Sequence, residues 1–284
     1  MTTRRSFLGT VAGGLGVALG GSRLGHGAAA KKPPLGLQLY SIRHALEKDL
    51  PGNLKMVRSW GIEEVESAGF YGRTAAEFTA ELKKAGLRCH AMHIGWDRLE
   101  KDMPGVIEDA KTVGATTIIQ PSLPYENRGG SATPDEMMRA ATAFAKWSRE
   151  IRAAGLRFGY HMHSQEFGPA AGGGTLFDKF AEEVGPEVGF ELDVFWVTTG
   201  GVDPIALMKK YPGRIWYTHL KDMTRGNETG EDAKVVLGTG RIDIAGVVKA
   251  GEAAGVEIHY LEDESRDPVA QIPQSVAYYK TLKV

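Results

Sequence analysis

The feature that most constrains this chain is an alternation repeated eight times between a short β-branched or apolar run and a helical pattern. Runs of this kind begin at Leu35 (LGLQLY), Ile62 (IEEVES), Leu87 (LRCHAMH), Thr116 (TTIIQ), Leu156 (LRFGYH), Val188 (VGFELDV), Arg214 (RIWYTHL) and Val256 (VEIHYLE). Strands separated by helices pair in parallel, because the crossover returns each strand in the same direction. Four helix starts are legible between them: Thr74 with Glu77 and Thr133 with Glu136 have capping-box spacing, and Asp203-Pro204 and Asp267-Pro268 are cap-then-proline starts. Eight βα units within residues 31–284, with no Pro/Ser-rich linker dividing them, predict an α/β chain folded as one (β/α)8 TIM barrel. An open doubly wound sheet is the competing architecture, but a GxGxxG turn does not follow the first strand, where GLQLYSIR stands.

Residues 1–30 do not share this pattern. Arg4 and Arg5 precede Ser6, Phe7 and Leu8, a weakly apolar Gly/Ala-rich stretch follows, and small residues stand at Ala28 to Ala30. The stretch is too short and glycine-rich for a stable membrane span, so it reads as a twin-arginine-type signal peptide with cleavage before Lys31. That implies the Tat export machinery as a partner and a periplasmic or otherwise exported protein. The formal net charge is −1, and losing Arg4, Arg5 and Arg23 makes the mature chain more acidic, which leaves no electrostatic footprint for nucleic acid. The single cysteine, Cys89, excludes an intramolecular disulfide and a cysteine-based zinc site.

A barrel places its chemistry at the C-terminal ends of its strands. Here the fifth run ends in His161 and His163, the sixth in Asp193, the seventh in His219 with Lys221, and the eighth in Glu262. Alternation with a period of two puts His161 with His163, and His219 with Lys221, on one face. His161, Asp193, His219 and Glu262 thus form a mixed nitrogen and oxygen set suited to Mn²⁺, with Co²⁺, Fe²⁺, Zn²⁺ or Mg²⁺ as alternatives. Their donor atoms should approach one point at roughly 2.0 to 2.3 Å. His93 and Glu66, inward at the ends of the third and second strands, and Trp196, three residues after Asp193, are candidate substrate contacts. Glu64 and Glu191 share the inward phase deeper in the barrel, where they need partners such as Arg157 or raised pKa values. His90 and His259 fall on the opposite phase and read as structural.

Taken in order, GLQLYSIR, GIEEVESAGFYG, YHMHSQEF, ELDVFWVTTGGVDP, THLKDM and HYLEDE resemble the sugar phosphate isomerase/epimerase group of xylose isomerase-like barrels, over essentially all of residues 31–284. The resemblance implies a divalent metal and a small carbohydrate substrate. In ketose 3-epimerases of this superfamily a Glu, Asp, His and Glu at the ends of strands five to eight hold the ion, and Asp193, His219 and Glu262 match three of them. The strand-five glutamate is replaced by His161, with His163 and Glu166 nearby as alternatives. Because that glutamate is one of two acid/base groups, its loss favours one-base chemistry: proton abstraction next to the carbonyl of a keto-sugar or related polyol, ending in isomerisation or β-elimination more readily than two-sided epimerisation. Glu262 is then the base, and Lys221 or His163 the acid; Lys221 could also contact substrate. Two other classes remain open: an exported carbohydrate-binding protein without catalysis, and a metal-dependent endonuclease-like barrel, which the acidic charge disfavours.

Overall fold

All eight runs form strands. In the computed structural model, which describes residues 32–126 and 130–283, these are β1 (Leu35–Gln38), β2 (Glu64–Ser67), β3 (Arg88–His93), β4 (Thr117–Gln120), β5 (Arg157–His161), β6 (Val188–Asp193) and β7 (Ile215–Leu220). A two-stranded antiparallel pair, β8 (Asp222–Met223) and β9 (Lys234–Val235), follows, and then β10 (Ile258–Leu261). The parallel strands close in the order β1, β10, β7, β6, β5, β4, β3, β2, so the chain is a single (β/α)8 barrel. The signal-peptide reading, including Arg4 and Arg5, lies outside the described residues. Among the described residues, no helix is long and apolar enough to cross a membrane.

The helices begin where the capping chemistry requires. The Thr74 hydroxyl accepts from the Glu77 amide at 3.2 Å while the Glu77 carboxylate accepts from the Thr74 amide at 2.8 Å, and Thr133 and Glu136 repeat the exchange at 3.2 and 2.7 Å. Asp203 and Asp267 accept from the amides of Ile205 and Ala270. A third capping box, Thr175 with Asp178, starts the helix Leu176–Glu183. Each such cap stabilises its helix by about 1 kcal/mol.

Alternation along the strands divides the core into two layers. Leu37, Val65, Ile118, Phe158, Phe190, Leu192 and Leu261 join the large cluster between sheet and helices. Ala91, Ile119, Tyr217, Ile258 and Tyr260 make a separate cluster with Trp216 packed against it. Gly159 and Gly189 are direct neighbours across β5 and β6, and a Cβ on Gly189 would collide with the Trp216 ring. Glycine there lets a large aromatic lie against the sheet.

Arg157, at the start of β5, closes the strand-start end. Its guanidinium meets Glu257 at 2.6 and 2.8 Å and the Tyr217 hydroxyl at 2.6 Å, and lies 4.5 Å from the Trp216 ring centroid. Arg157 therefore partners neither of the two inward glutamates. Glu64 pairs instead with Arg88 at 2.6 Å, and Glu191 with three histidines. His259 and Thr218 are hydrogen-bond partners, as are His90 and Thr116, and neither histidine lines the pocket at the other end of the barrel.

Candidate active site

At the C-terminal ends of the strands, polar side chains from almost every strand converge in two levels. The deeper level centres on Glu191 of β6, which is fully buried. Its Oε2 lies 2.8 Å from His93 Nε2, 3.0 Å from His161 Nδ1 and 3.0 Å from His219 Nε2. Glu66 of β2 adds a second buried carboxylate, with Oε2 2.8 Å from His219 Nε2 and 3.3 Å from His93 Nε2, and accepts from the Gln38 side-chain amide at 2.7 Å. The rings of His161 and His219 have centroids 4.5 Å apart, and those of His93 and His219 stack at 5.5 Å.

The upper level is organised by Lys221, which immediately follows β7 and is 2% exposed. Its Nζ sits 2.7 Å from Glu262 Oε2, 2.7 Å from Glu264 Oε2 and 3.1 Å from Asp193 Oδ2. Asp222, its sequence neighbour, is committed elsewhere, accepting from the amides of Gly238, Gly240 and Ile242. Asp193 Oδ1 caps the helix that opens β6's loop by accepting from the amides of Phe195 and Trp196. His219 joins the two levels, since its Nδ1 lies 3.1 Å from Glu262 Oε2 while its Nε2 faces Glu66 and Glu191.

The charges within this cluster fix one another. Burial alone would drive His93 to the neutral form, but Glu66 and Glu191 outweigh it and raise its pKa to about 9. His219 is likewise raised well above the ordinary histidine value, against burial, by Glu191 and Glu262. Glu191 is correspondingly held well below the carboxylate range: burial opposes this, and His219, His161 and His93 prevail. The raised pKa expected for a lone buried Glu191 is thus reversed. Lys221, although buried, is held well above its usual value by Asp193, Glu262 and Glu264. For Glu262 burial pushes the other way, but Lys221 and His219 prevail and hold it well below the carboxylate range. His163 stays neutral, since burial lowers its pKa and the neighbouring His161 and Lys221 add to the effect.

A cavity of about 410 Å³ opens onto this cluster, lined by Tyr40, His93, Ser122, His161, His163, Trp196, Glu262 and Glu264, among others. His93 and Trp196, expected as substrate contacts, reach it, whereas Lys221, expected with them, is buried and not among its lining residues, and Glu66 lies beneath it as part of the deeper level. His163 lies beyond the end of β5 rather than within it, yet its ring still lines the cavity beside His161, 4.7 Å between centroids. Its Nδ1 is buried without a hydrogen-bond partner among the described residues. Glu166 is fully buried and bonded to Tyr125, Tyr160 and the His163 amide, so it braces the loop and takes no place in the cluster. Glu264 escaped sequence reasoning although it shares the phase of Glu262 two residues earlier. Gln38 carried no signal beyond its strand-end position.

Both levels have the donors of a divalent-metal site. Atoms of Asp193, His219 and Glu262 lie within 4.8 Å of one another, as do atoms of His93, His161, Glu191 and His219, close to the separation of ligands that each stand about 2.0 to 2.3 Å from one ion. The carboxylate oxygens Glu66 Oε1 and Glu191 Oε1 are buried without hydrogen-bond partners among the described residues. The residues therefore fit a metal, though His161 Nε2 stands 4.0 Å from Asp193 Oδ2 and is turned by its other nitrogen toward Glu191.

Comparison with known proteins agrees with this architecture. An inosose dehydratase from Lacticaseibacillus casei is 24% identical over 156 residues, which is 50% of this chain and 51% of the relative, so the chain spans about half the length of the curated relatives it matches. A sugar phosphate isomerase/epimerase from Parabacteroides distasonis superposes with a TM-score of 0.75 at 25% identity, covering 88% of this chain and all of that one. An IolI protein solved with a bound zinc atom superposes with a TM-score of 0.66 at 14% identity, covering 87% of this chain and 97% of that one, a likeness of fold. The family described as xylose isomerase-like TIM barrel matches residues 54–282, and the chain belongs to it.

Proposed function

We propose that the chain is a divalent-metal-dependent enzyme that removes a proton next to the carbonyl of a keto-sugar or related polyol, leading to isomerisation, epimerisation or β-elimination. The observation that carries this reading is the Lys221–Glu262 pair, a buried ammonium and a carboxylate 2.7 Å apart beside a sugar-sized cavity. His161 and His219, with carboxylates of β6 and of the segment after β10, would hold the ion. When bound, it supplies Lewis-acid polarisation of the substrate carbonyl. Glu262, kept ionised by Lys221 and His219, accepts the carbon-bound proton; both of those contacts involve Oε2, and neither engages its other oxygen. Lys221, kept charged, donates to the carbonyl oxygen or the departing hydroxyl. His163, neutral and with its Nδ1 unpartnered among the described residues, is a second group able to exchange a proton. Trp196 offers a ring face to the sugar.

Among the described residues the lining of the cavity contains no arginine or lysine, and Lys221 is already paired with three carboxylates. This supports an uncharged substrate over a sugar phosphate. The inosose dehydratase relative supports a polyol-derived ketone. The leader adds a proposal of Tat-dependent export to the periplasm, supported by Arg4 and Arg5. The test of the chemistry is incubation of the metal-loaded protein in D₂O with free keto-sugars, 3-keto-glycosides, inosose and a ketose phosphate, followed by NMR. Deuterium at the carbon next to a carbonyl is expected for a neutral substrate; absence of exchange across the panel overturns the reading.

A further inference from the structure

We propose that Glu264 is the specificity-determining residue of the cavity: its carboxylate accepts hydrogen bonds from adjacent hydroxyls of the substrate and turns away ligands that carry a negative charge. The site therefore takes neutral, polyhydroxylated ketones and rejects their phosphates and acids. This rests on the enzymatic reading above and names the group that selects its substrate. Tyr40, on the same wall, supplies a ring face against which such a substrate lies.

Placement separates Glu264 from the other carboxylates around Lys221. Asp193 is fully buried and the Glu262 side chain is 8% exposed, whereas that of Glu264 is 23% exposed and lines the cavity. Its Oε2 accepts from Lys221 Nζ at 2.7 Å, and among the described residues no protein group donates to its Oε1. Neutralising Lys221 does not explain this residue, because Asp193 and Glu262 already hold that ammonium at 3.1 and 2.7 Å, and a third carboxylate adds charge that Lys221 cannot offset. The excess runs through the whole site. Glu66, Glu191, Asp193, Glu262 and Glu264 face one ammonium, and a bound divalent ion leaves two negative charges unbalanced when the imidazoles are neutral. An anionic group entering the cavity is repelled by that excess, in surroundings that screen it less than bulk water does.

The same carboxylate suits hydroxyls. Each of its oxygens carries two lone pairs, so Oε1 and the remaining capacity of Oε2 can accept from two neighbouring hydroxyls in charge-assisted bonds. Beside it stands an aromatic ring. Glu264 follows β10 and Tyr40 follows β1, and these strands are paired neighbours, whereas β5, which leads to His163, lies on the far side of the closed ring of strands. Tyr40 also lines the cavity and is 40% exposed, although its backbone is held: its amide donates to Gln38 Oε1 at 3.0 Å and its carbonyl accepts from Arg43 at 2.9 Å. The Arg43 guanidinium lies 3.9 Å from the ring centroid, which fixes the ring itself. A positioned aromatic face next to a carboxylate is complementary to a hydroxylated ring, whose C–H groups pack on the aromatic while its hydroxyls donate to the acid.

Calorimetric titration of the metal-loaded full chain with inosose, fructose and fructose 6-phosphate reads the selection through affinity alone. The wild type should bind the neutral ketones at least about 10-fold more tightly than the phosphate. Glu264→Gln should weaken neutral binding by roughly 10-fold, the scale of one hydrogen bond to a charged group, and tighten phosphate binding by a similar factor. Glu264→Asp, which keeps the charge and shortens its reach, should weaken the neutral ketones and still reject the phosphate. Metal content and melting curves recorded for each variant show that the site is intact. A wild type that binds none of the three, or binds the phosphate as tightly as the neutral ketones, overturns the proposal. So does a Glu264→Gln protein in which neutral binding is unchanged, or falls with no gain for the phosphate. Deuterium exchange is scored separately: selection of neutral ketones without exchange sinks only the proposed chemistry, and exchange with unaltered selection in Glu264→Gln sinks only the role of Glu264.

Discussion

Lys221 and Glu262 stand 2.7 Å apart, Glu262 lining the cavity, and loss of Lys221 would leave Asp193, Glu262 and Glu264 without the buried ammonium they share. Removing one member of a buried ion pair costs about 3 to 5 kcal/mol. Lys221→Met should therefore lower stability by about that amount in chemical denaturation and reduce turnover by roughly 10²-fold, the usual scale for loss of a proton donor. A Lys221→Met protein with wild-type turnover would remove Lys221 from the chemistry.

Glu262→Gln keeps the shape of the side chain and removes the proton acceptor. Turnover should fall by roughly 10²-fold or more. Metal content measured on the same sample separates loss of the base from loss of the ion, since Glu262 also orients His219. Full exchange activity in a metal-replete Glu262→Gln protein refutes the assignment.

Acid should destabilise the fold through His259. This side chain is fully buried, and burial followed by the Lys32 charge lowers its pKa from 6.5 to about 3. The unfolded chain then binds a proton that the folded one refuses between these values. Stability from this group is complete above about pH 6.5 and is lost progressively as pH falls toward 3. Denaturant midpoints recorded across that range should decline with acidification, and His259→Gln should flatten the decline. An unchanged slope would place the acid sensitivity elsewhere.

Export is tested without reference to the barrel. Replacing Arg4 and Arg5 by lysine should retain the protein in the cytoplasm while leaving its melting temperature and metal content unchanged. Fractionation that finds the variant still delivered to the periplasm argues against a twin-arginine route.

Strand positions and inward phase are legible because a period of two is imposed by the backbone itself, so the sequence alone places His93, His161, Asp193, His219 and Glu262 near one another. What the pattern could not convey was depth and pairing. Glu191 lies two residues before Asp193 on the same strand and has the same phase, yet only the closed barrel shows that three histidines from other strands meet it. Arg157 was a plausible partner for an inward carboxylate, but it sits one layer too low, at the level of Glu257. His163 looked like a strand residue because alternation runs through YHMH, whereas β5 stops at His161 and the Tyr125–Tyr160–Glu166 contacts hold the following loop. Glu264 repeats the phase of Glu262 beyond the strand, where periodicity carries less weight.

The closure formed by Arg157, Tyr217 and Trp216 at the strand-start end makes the cavity a cul-de-sac. In the proposed reaction, substrate and product would share the one cavity that Tyr40, Ser122 and Trp196 help to line. A product that has not left therefore bars the next substrate from entering, and initial-rate kinetics should show simple competition between the two.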